Sequence, residues 1–96
     1  MNFDQFLQSI ELDKTAPAEL NIHLKSLWYD GKGDWKSAHD LIDRLDDLTS
    51  AHVHAYLHRV EGDLWNAKYW YDRAKQPVFK GELADEWQQL VKMLLA

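Results

Sequence analysis

Two histidines one helical turn apart have the spacing in this chain that is best suited to chemistry. His54 and His58 are followed by Glu61, and a helix would place the three side chains in one stripe, here called the histidine stripe. Two imidazoles at this spacing suit a divalent cation, and a carboxylate one turn away can orient an imidazole for acid–base work. A metal site would still need a third ligand, from His39 or from an aspartate of the preceding helix. Because two ligands do not make a site, we predict no bound metal and no cofactor.

The sequence leaves three interpretations of the histidine stripe open. The imidazoles can be half-buried between helices, where a carbonyl, a tyrosine hydroxyl or an aspartate satisfies them. They can also contact a ligand in an acid–base or binding role, or they can bind a metal. We favour the first interpretation, because the chain lacks the His-Glu-x-x-His signature that supplies two ligands and a base together.

A catalytic nucleophile is not evident in the sequence. Ser26, Ser37 and Ser50 stand in ordinary helix or cap positions, and there is neither a Gly-x-Ser-x-Gly elbow nor a glycine-rich phosphate loop. The absence of cysteine excludes a disulfide framework, a cysteine-ligated zinc site and a thiol nucleophile. The sequence therefore favours a protein without catalytic activity, and a histidine-based enzyme stays an open alternative.

The elements that must position these side chains are helices. Helical spacing of apolar residues recurs through the 96-residue chain, which is 46% apolar, whereas the alternation typical of strands never persists. We predict an all-α fold of five or six helices in a single domain spanning residues 1–96. A proline at position 17 predicts a second helix over residues 17–30 with Thr15 or Ala16 as its cap, and Thr49 or Ser50 is the predicted cap of the fourth helix.

The strongest pattern in the chain is an internal repeat of about 29 residues. Gly33-Asp34 aligns with Gly62-Asp63, and an alanine follows each pair at the same distance. The repeat predicts two stacked helix-turn-helix units, flanked by N- and C-terminal capping helices. The units cover about residues 20–47 and 50–76, and the capping helices about residues 3–11 and 82–95. An alternative stays open, since any two amphipathic hairpins share part of such a pattern.

The repeat resembles the tetratricopeptide repeat superfamily, in which a Gly-Asp turn is followed by an alanine, an aromatic residue and a second alanine. The second unit carries these as Gly62, Asp63, Ala67, Tyr71 and Ala74, and the first unit as Gly33, Asp34, Ala38, Ile42 and Leu45. Its period is shorter than the roughly 34 residues usual for that repeat. The resemblance implies stacked helical hairpins that bind a peptide or protein segment. The run from His54 to Tyr71 also resembles a family of small uncharacterised bacterial proteins, which implies no activity.

The acidic composition narrows the choice of partners. Eleven Lys and Arg against sixteen Asp and Glu give a net charge of −5, which disfavours binding to phosphate backbones. The apolar runs fall short of the roughly 20 residues that a membrane helix needs, and the N-terminus has no basic signal region. We therefore expect no nucleic-acid partner, no membrane partner and a cytoplasmic location.

These patterns together predict a non-catalytic module that interacts with a protein or peptide. The predicted groove is lined by equivalent positions of the first helix in each unit, namely Lys25, Tyr29, His54, His58 and Glu61. A secondary surface comprises Arg59, Tyr69 and Arg73, because exposed Tyr, Trp and Arg side chains are typical of binding hot spots. Two alternatives stay open. One is a small-molecule or metal-binding protein, catalytic or not, that uses the histidine stripe; the other is a structural homo-oligomer, such as a homodimer, joined through the aromatic side chains of the fifth helix.

Overall fold

The computed structural model of the protein describes residues 1–96 and confirms an all-α fold of six helices. The helices are α1 (Phe3–Leu12), α2 (Ile22–Gly31), α3 (Trp35–Ile42), α4 (Leu48–Val60), α5 (Leu64–Ala74) and α6 (Leu83–Leu95). They form a globule with principal extents of 35 × 25 × 23 Å. None of the six helices has the length and apolarity needed to span a lipid bilayer.

Side-chain caps define where the first five helices begin. The capping residues are Asn2, Asn21, Asp34, Asp47 and Asp63, and the side chain of each accepts a hydrogen bond from the backbone amide three residues further on. Such caps satisfy amide groups that have no partner inside the helix.

Two of the predicted caps are wrong. Thr15 and Ala16 do not start the second helix, because Pro17 begins a turn closed by a bond from the Leu20 amide, and Asn21 caps the helix that follows. Thr49 and Ser50 lie inside α4, which is capped by Asp47.

The two Gly-Asp turns have the same backbone geometry. Gly33 has a φ of 88° and Gly62 a φ of 81°, in the left-handed region that glycine adopts without steric cost. In both turns the aspartate amide donates to the carbonyl five residues earlier, at 2.8 Å in the first turn and 2.9 Å in the second. This is the bond that closes a Schellman motif. The repeat in the sequence is therefore also a repeat of structure, with α2 paired with α3 and α4 paired with α5.

The N-terminal helix packs on the first helix of the first hairpin, and the C-terminal helix packs on the first helix of both hairpins. Helix α1 packs on α2 and α6, and α6 packs on α1, α2 and α4, whereas α5 lies mainly against α4 and contacts α6 through Tyr71. The fully buried side chains of the core include Phe6, Leu27, Trp28, Ile42, Val53, Leu57 and Val91. Helix α6 therefore folds back over both hairpins and leaves the outer side of α5 uncovered.

A buried carboxylate fastens α6 to the second hairpin. Glu86 is fully buried, accepts a hydrogen bond from the Tyr71 hydroxyl at 2.5 Å and pairs with Arg59 at 2.6 Å. Burial of the Tyr71 hydroxyl and its hydrogen bond to the Glu86 carboxylate raise the pKa of that hydroxyl well above the usual value for tyrosine. At the next residue of α6, Trp87 Nε1 donates to the carbonyl of Leu27 at 2.9 Å. These bonds fix the position of α6 on α2, α4 and α5.

Candidate functional site

The histidine stripe of α4 faces the neighbouring helices rather than open solvent. His54 is 2% exposed and His58 is 9% exposed. The ring of His54 stacks on Trp70 of α5, with 3.9 Å between the ring centroids, and on the other side it stacks on His58 at 4.8 Å. Glu61 remains exposed at the end of the helix.

His39 of α3 completes a cluster that the predicted site did not include. Its Nε2 lies 3.0 Å from Nε2 of His54, and one ring nitrogen from each of His39, His54 and His58 lies within 4.8 Å of the others. We call these three residues the histidine cluster. The sequence named His39 as a possible third ligand, but its distance from His54 depends on how α3 packs against α4, which no local pattern predicts.

Aromatic walls and a carboxylate hold the rings of the histidine cluster in place. Trp35 stacks on His39 with 4.7 Å between centroids and an interplanar angle of 12°, and its Nε1 donates to the carbonyl of Leu57 at 2.7 Å. Nδ1 of His58 lies 2.5 Å from the carboxylate of Glu61. A carboxylate on one ring nitrogen fixes the tautomer and leaves the other nitrogen as a lone-pair donor.

The electrostatics of the cluster keep His54 neutral. Burial is the main cause that lowers its pKa to about 4, and the neighbouring His58 and His39 contribute to the same shift. The only opposing charge is the carboxylate of Asp43, whose Oδ1 lies 3.6 Å from Nε2 of His39 and 3.9 Å from Nε2 of His54. Nδ1 of His54 is buried and has no hydrogen-bond partner. The neutral imidazole of His54, beside a carboxylate, can accept a cation or exchange hydrogen bonds with a ligand.

A second feature is an open cleft of about 500 Å³ between α1, α2, α4 and α6. Its lining residues are Leu7, Ile10, Glu11, Asp30, Gly31, Tyr56, Ala84 and Trp87. This volume lies in the usual range for ligand sites, which combine apolar walls with a few polar groups. The cleft has no signature in the sequence, because its walls come from helices that are far apart in the chain.

Two polar groups of the cleft are bonded to each other. The Tyr56 hydroxyl donates to Asp30 at 2.7 Å, and Asp30 pairs with no cationic side chain of the protein. Burial raises the pKa of the Asp30 carboxyl, and the bond from Tyr56 opposes that shift. Burial and the nearby Asp30 carboxylate also raise the pKa of Tyr56 well above its usual range, so Tyr56 stays a hydrogen-bond donor. The cleft thus holds a partly desolvated acidic group.

Helix α2 carries the other two residues of the predicted groove. Lys25 is half-buried. Tyr29 lies in a different depression, formed with Ser37, Asp40 and Leu41, and its hydroxyl is 3.5 Å from the amide of Ala16. No residue of the histidine stripe lines this depression.

The predicted secondary surface is divided between two environments. Arg59 forms an ion pair with Glu86, donates a hydrogen bond to the carbonyl of Gly81 and lies over the ring of Phe79. Tyr69 and Arg73 lie together on the exposed side of α5, where Nη1 of Arg73 donates to the Tyr69 hydroxyl at 3.2 Å.

The outer side of α5 exposes large apolar side chains. Trp65 is 78% exposed on this side and lines a depression with Lys68, Tyr69 and Asp72. Leu64, the first residue of the helix, is 68% exposed. No protein-family model, curated protein or solved structure matches this chain. The histidine cluster, the cleft and this face of α5 are the candidate sites in the structure.

Proposed function

We propose that this protein is a non-catalytic interaction module, built on the pattern of tetratricopeptide repeats, that binds a segment of a partner protein in the cleft. The repeated Gly-Asp turns and the pairing of α2 with α3 and α4 with α5 support the architectural part of the proposal. The observation that carries the functional part is an acidic residue, Asp30, between apolar walls.

The chemistry of the cleft favours a segment that is both apolar and basic. Trp87 and Ile10 offer apolar contact, while Asp30 and Glu11 offer carboxylates. A partner's lysine or arginine would supply the positive charge that Asp30 does not find within the protein, and its aliphatic stem would pack on the apolar walls. The net charge of −5 also attracts a basic segment over longer distances. The preferred ligand is an apolar residue next to a lysine or arginine.

Peptide binding to cleft variants tests the proposal. The probes are labelled synthetic peptides that carry an apolar residue beside a lysine or arginine, and a second set with glutamate in place of the basic residue. Fluorescence polarisation should detect binding of the first set alone. Ala84→Arg should abolish binding, because the long cationic side chain fills the cleft from the exposed first turn of α6.

Two further variants make the test specific. Asp30→Asn should weaken binding about tenfold, the effect of losing one charge-assisted contact worth about 1.4 kcal/mol. Gln89→Arg is the matched control for Ala84→Arg, since it adds the same charge to an exposed position of α6 outside the cleft. Peptides that bind Ala84→Arg as tightly as the unchanged protein would rule out the cleft as their site.

The exposed side of α5 favours self-association as a second candidate function. Exposed aromatic residues such as Trp65 and Tyr69 are typical of interaction surfaces. Sedimentation velocity over a range of concentrations should then show a dimer that Trp65→Ser dissociates. A protein that stays monomeric at the highest concentration would remove this candidate and leave the cleft proposal untouched.

A further inference from the structure

We propose that the histidine cluster, together with Asp43, binds a divalent transition-metal cation of the zinc type between α3 and α4. The ligands are Nε2 of His39, Nε2 of His54 and Oδ1 of Asp43, with the free ring nitrogen of His58 beside them. This site is separate from the cleft, and its presence does not depend on the interaction proposed there.

The distances between the ligand atoms match those around a tetrahedral cation. The two Nε2 atoms are 3.0 Å apart, and Oδ1 of Asp43 lies 3.6 Å from one and 3.9 Å from the other. Zinc binds nitrogen and oxygen at about 2.0 to 2.1 Å, which places neighbouring tetrahedral ligands about 3.3 Å apart. Changes of a few tenths of an ångström to roughly half an ångström would therefore bring all three atoms onto one ion.

Neighbouring side chains orient the histidine rings in the absence of a metal ion. Trp35 and Trp70 stack on His39 and His54, so neither ring needs to be ordered when an ion binds. The carboxylate of Glu61 lies on Nδ1 of His58, which directs the lone pair of that ring to Nε2. This is the outer-shell arrangement that supports histidine ligands in metal sites.

The ligand types select the class of metal. Imidazoles with one carboxylate suit zinc and its neighbours in the first transition row, whereas magnesium and calcium prefer oxygen ligands. The carboxylates of Asp43 and Glu61 balance the charge of a divalent ion. Asp43 is also the entry point, because its side chain is 51% exposed while His54 is buried.

One atom of the site lowers the expected affinity. If His54 binds the ion through Nε2, the proton of its neutral ring must be on Nδ1, which is buried and has no partner. Loss of such an outer-shell hydrogen bond typically weakens metal binding 10- to 100-fold. We therefore expect micromolar rather than nanomolar dissociation constants.

A bound ion would connect the two hairpins. His39 and Asp43 follow the first Gly-Asp turn, whereas His54 and His58 belong to α4 of the second hairpin. Because the ion would bind the folded arrangement and not the unfolded chain, it should stabilise the protein in proportion to its concentration.

Titration of the untagged, chelator-treated protein with zinc chloride tests the proposal. Calorimetry should show one site per chain, native mass spectrometry should show one zinc adduct, and zinc should raise the melting temperature while magnesium should not. His39→Phe keeps the stacking on Trp35 and removes the ligand nitrogens. It should weaken binding at least tenfold, as should Asp43→Asn.

Matched controls separate ligation from loss of fold or charge. Asp46→Asn removes the same charge from a nearby exposed position, and His52→Phe removes an imidazole outside the cluster. Both should bind zinc as the unchanged protein does. The imidazole ¹⁵N resonances of His39 and His54 should shift on zinc addition. Absence of binding at hundreds of micromolar zinc, or equal binding by His39→Phe and Asp43→Asn, would overturn the proposal.

Discussion

Arg59 of α4 and Glu86 of α6 form an ion pair at 2.6 Å that crosses between the second hairpin and the C-terminal helix. Glu86 is fully buried, so Arg59→Ala would leave a buried charge with Tyr71 as its remaining donor. We expect a loss of about 3 kcal/mol in the free energy of unfolding, the lower end of the range for breaking a buried pair. Urea unfolding monitored by circular dichroism measures this loss. Lys36→Ala removes one partner of an exposed ion pair and should leave the urea midpoint unchanged.

The two turn glycines should have equal and independent effects on stability. A Cβ built on Gly33 or Gly62 meets nothing within 4 Å, so the cost of an alanine is conformational. Gly33→Ala and Gly62→Ala should each lower the free energy of unfolding by about 1 to 2 kcal/mol. The double variant should lose the sum to within about 0.5 kcal/mol. A loss at one turn alone would contradict their structural equivalence.

Lys75 offers a site for stabilisation. It ends α5 in the left-handed conformation with a φ of 58°, which an L side chain adopts at a cost. Lys75→Gly should raise the free energy of unfolding by up to about 1 kcal/mol, because glycine relieves this strain. Lys75→Ala removes the same charge and keeps the Cβ, so it should show no such gain. Thermal melts of the two variants side by side provide the comparison.

Asp30 should reduce stability near neutral pH. Burial raises the folded-state pKa of its carboxyl above the ordinary value for aspartate. Protonated Asp30 therefore contributes to the free energy of unfolding. This contribution is fully present below the unfolded-state pKa and is lost as pH rises through the folded-state pKa. Asp30→Asn should unfold at higher urea concentration than the unchanged protein at pH 7, and the difference should disappear near pH 3. An advantage that persists at pH 3 would point to a cause other than ionisation.

The elements that follow local rules could be predicted from the sequence. Apolar spacing predicts the helices, and the Gly-Asp pairs at Gly33 and Gly62 predict both hairpin turns, because these signals act within a few residues. The start of α2 could not be predicted correctly, since Pro17 suits both a helix and a turn. In the structure Pro17 begins a turn, and the helix begins after its cap, Asn21.

The candidate sites depend on packing between distant segments. The stripe of His54, His58 and Glu61 follows from helical periodicity, but the contact between His39 and His54 exists only because α3 lies against α4. The cleft needs α1 and α6 on the same side of α2 and α4. Neither the His39–His54 contact nor the placement of α1 and α6 has a signature within one helix. The sequence could therefore indicate candidate ligands but not which of them lie close together.

The bond between Trp87 and Leu27 joins residues 60 positions apart, and it has a consequence for the order of folding. The two hairpins are held by contacts between neighbouring segments, which form quickly because little chain entropy is lost. Docking of α6 must close a much longer loop. We therefore expect the hairpins to be the early folding units and the cleft, which requires α6, to be completed late on the folding pathway.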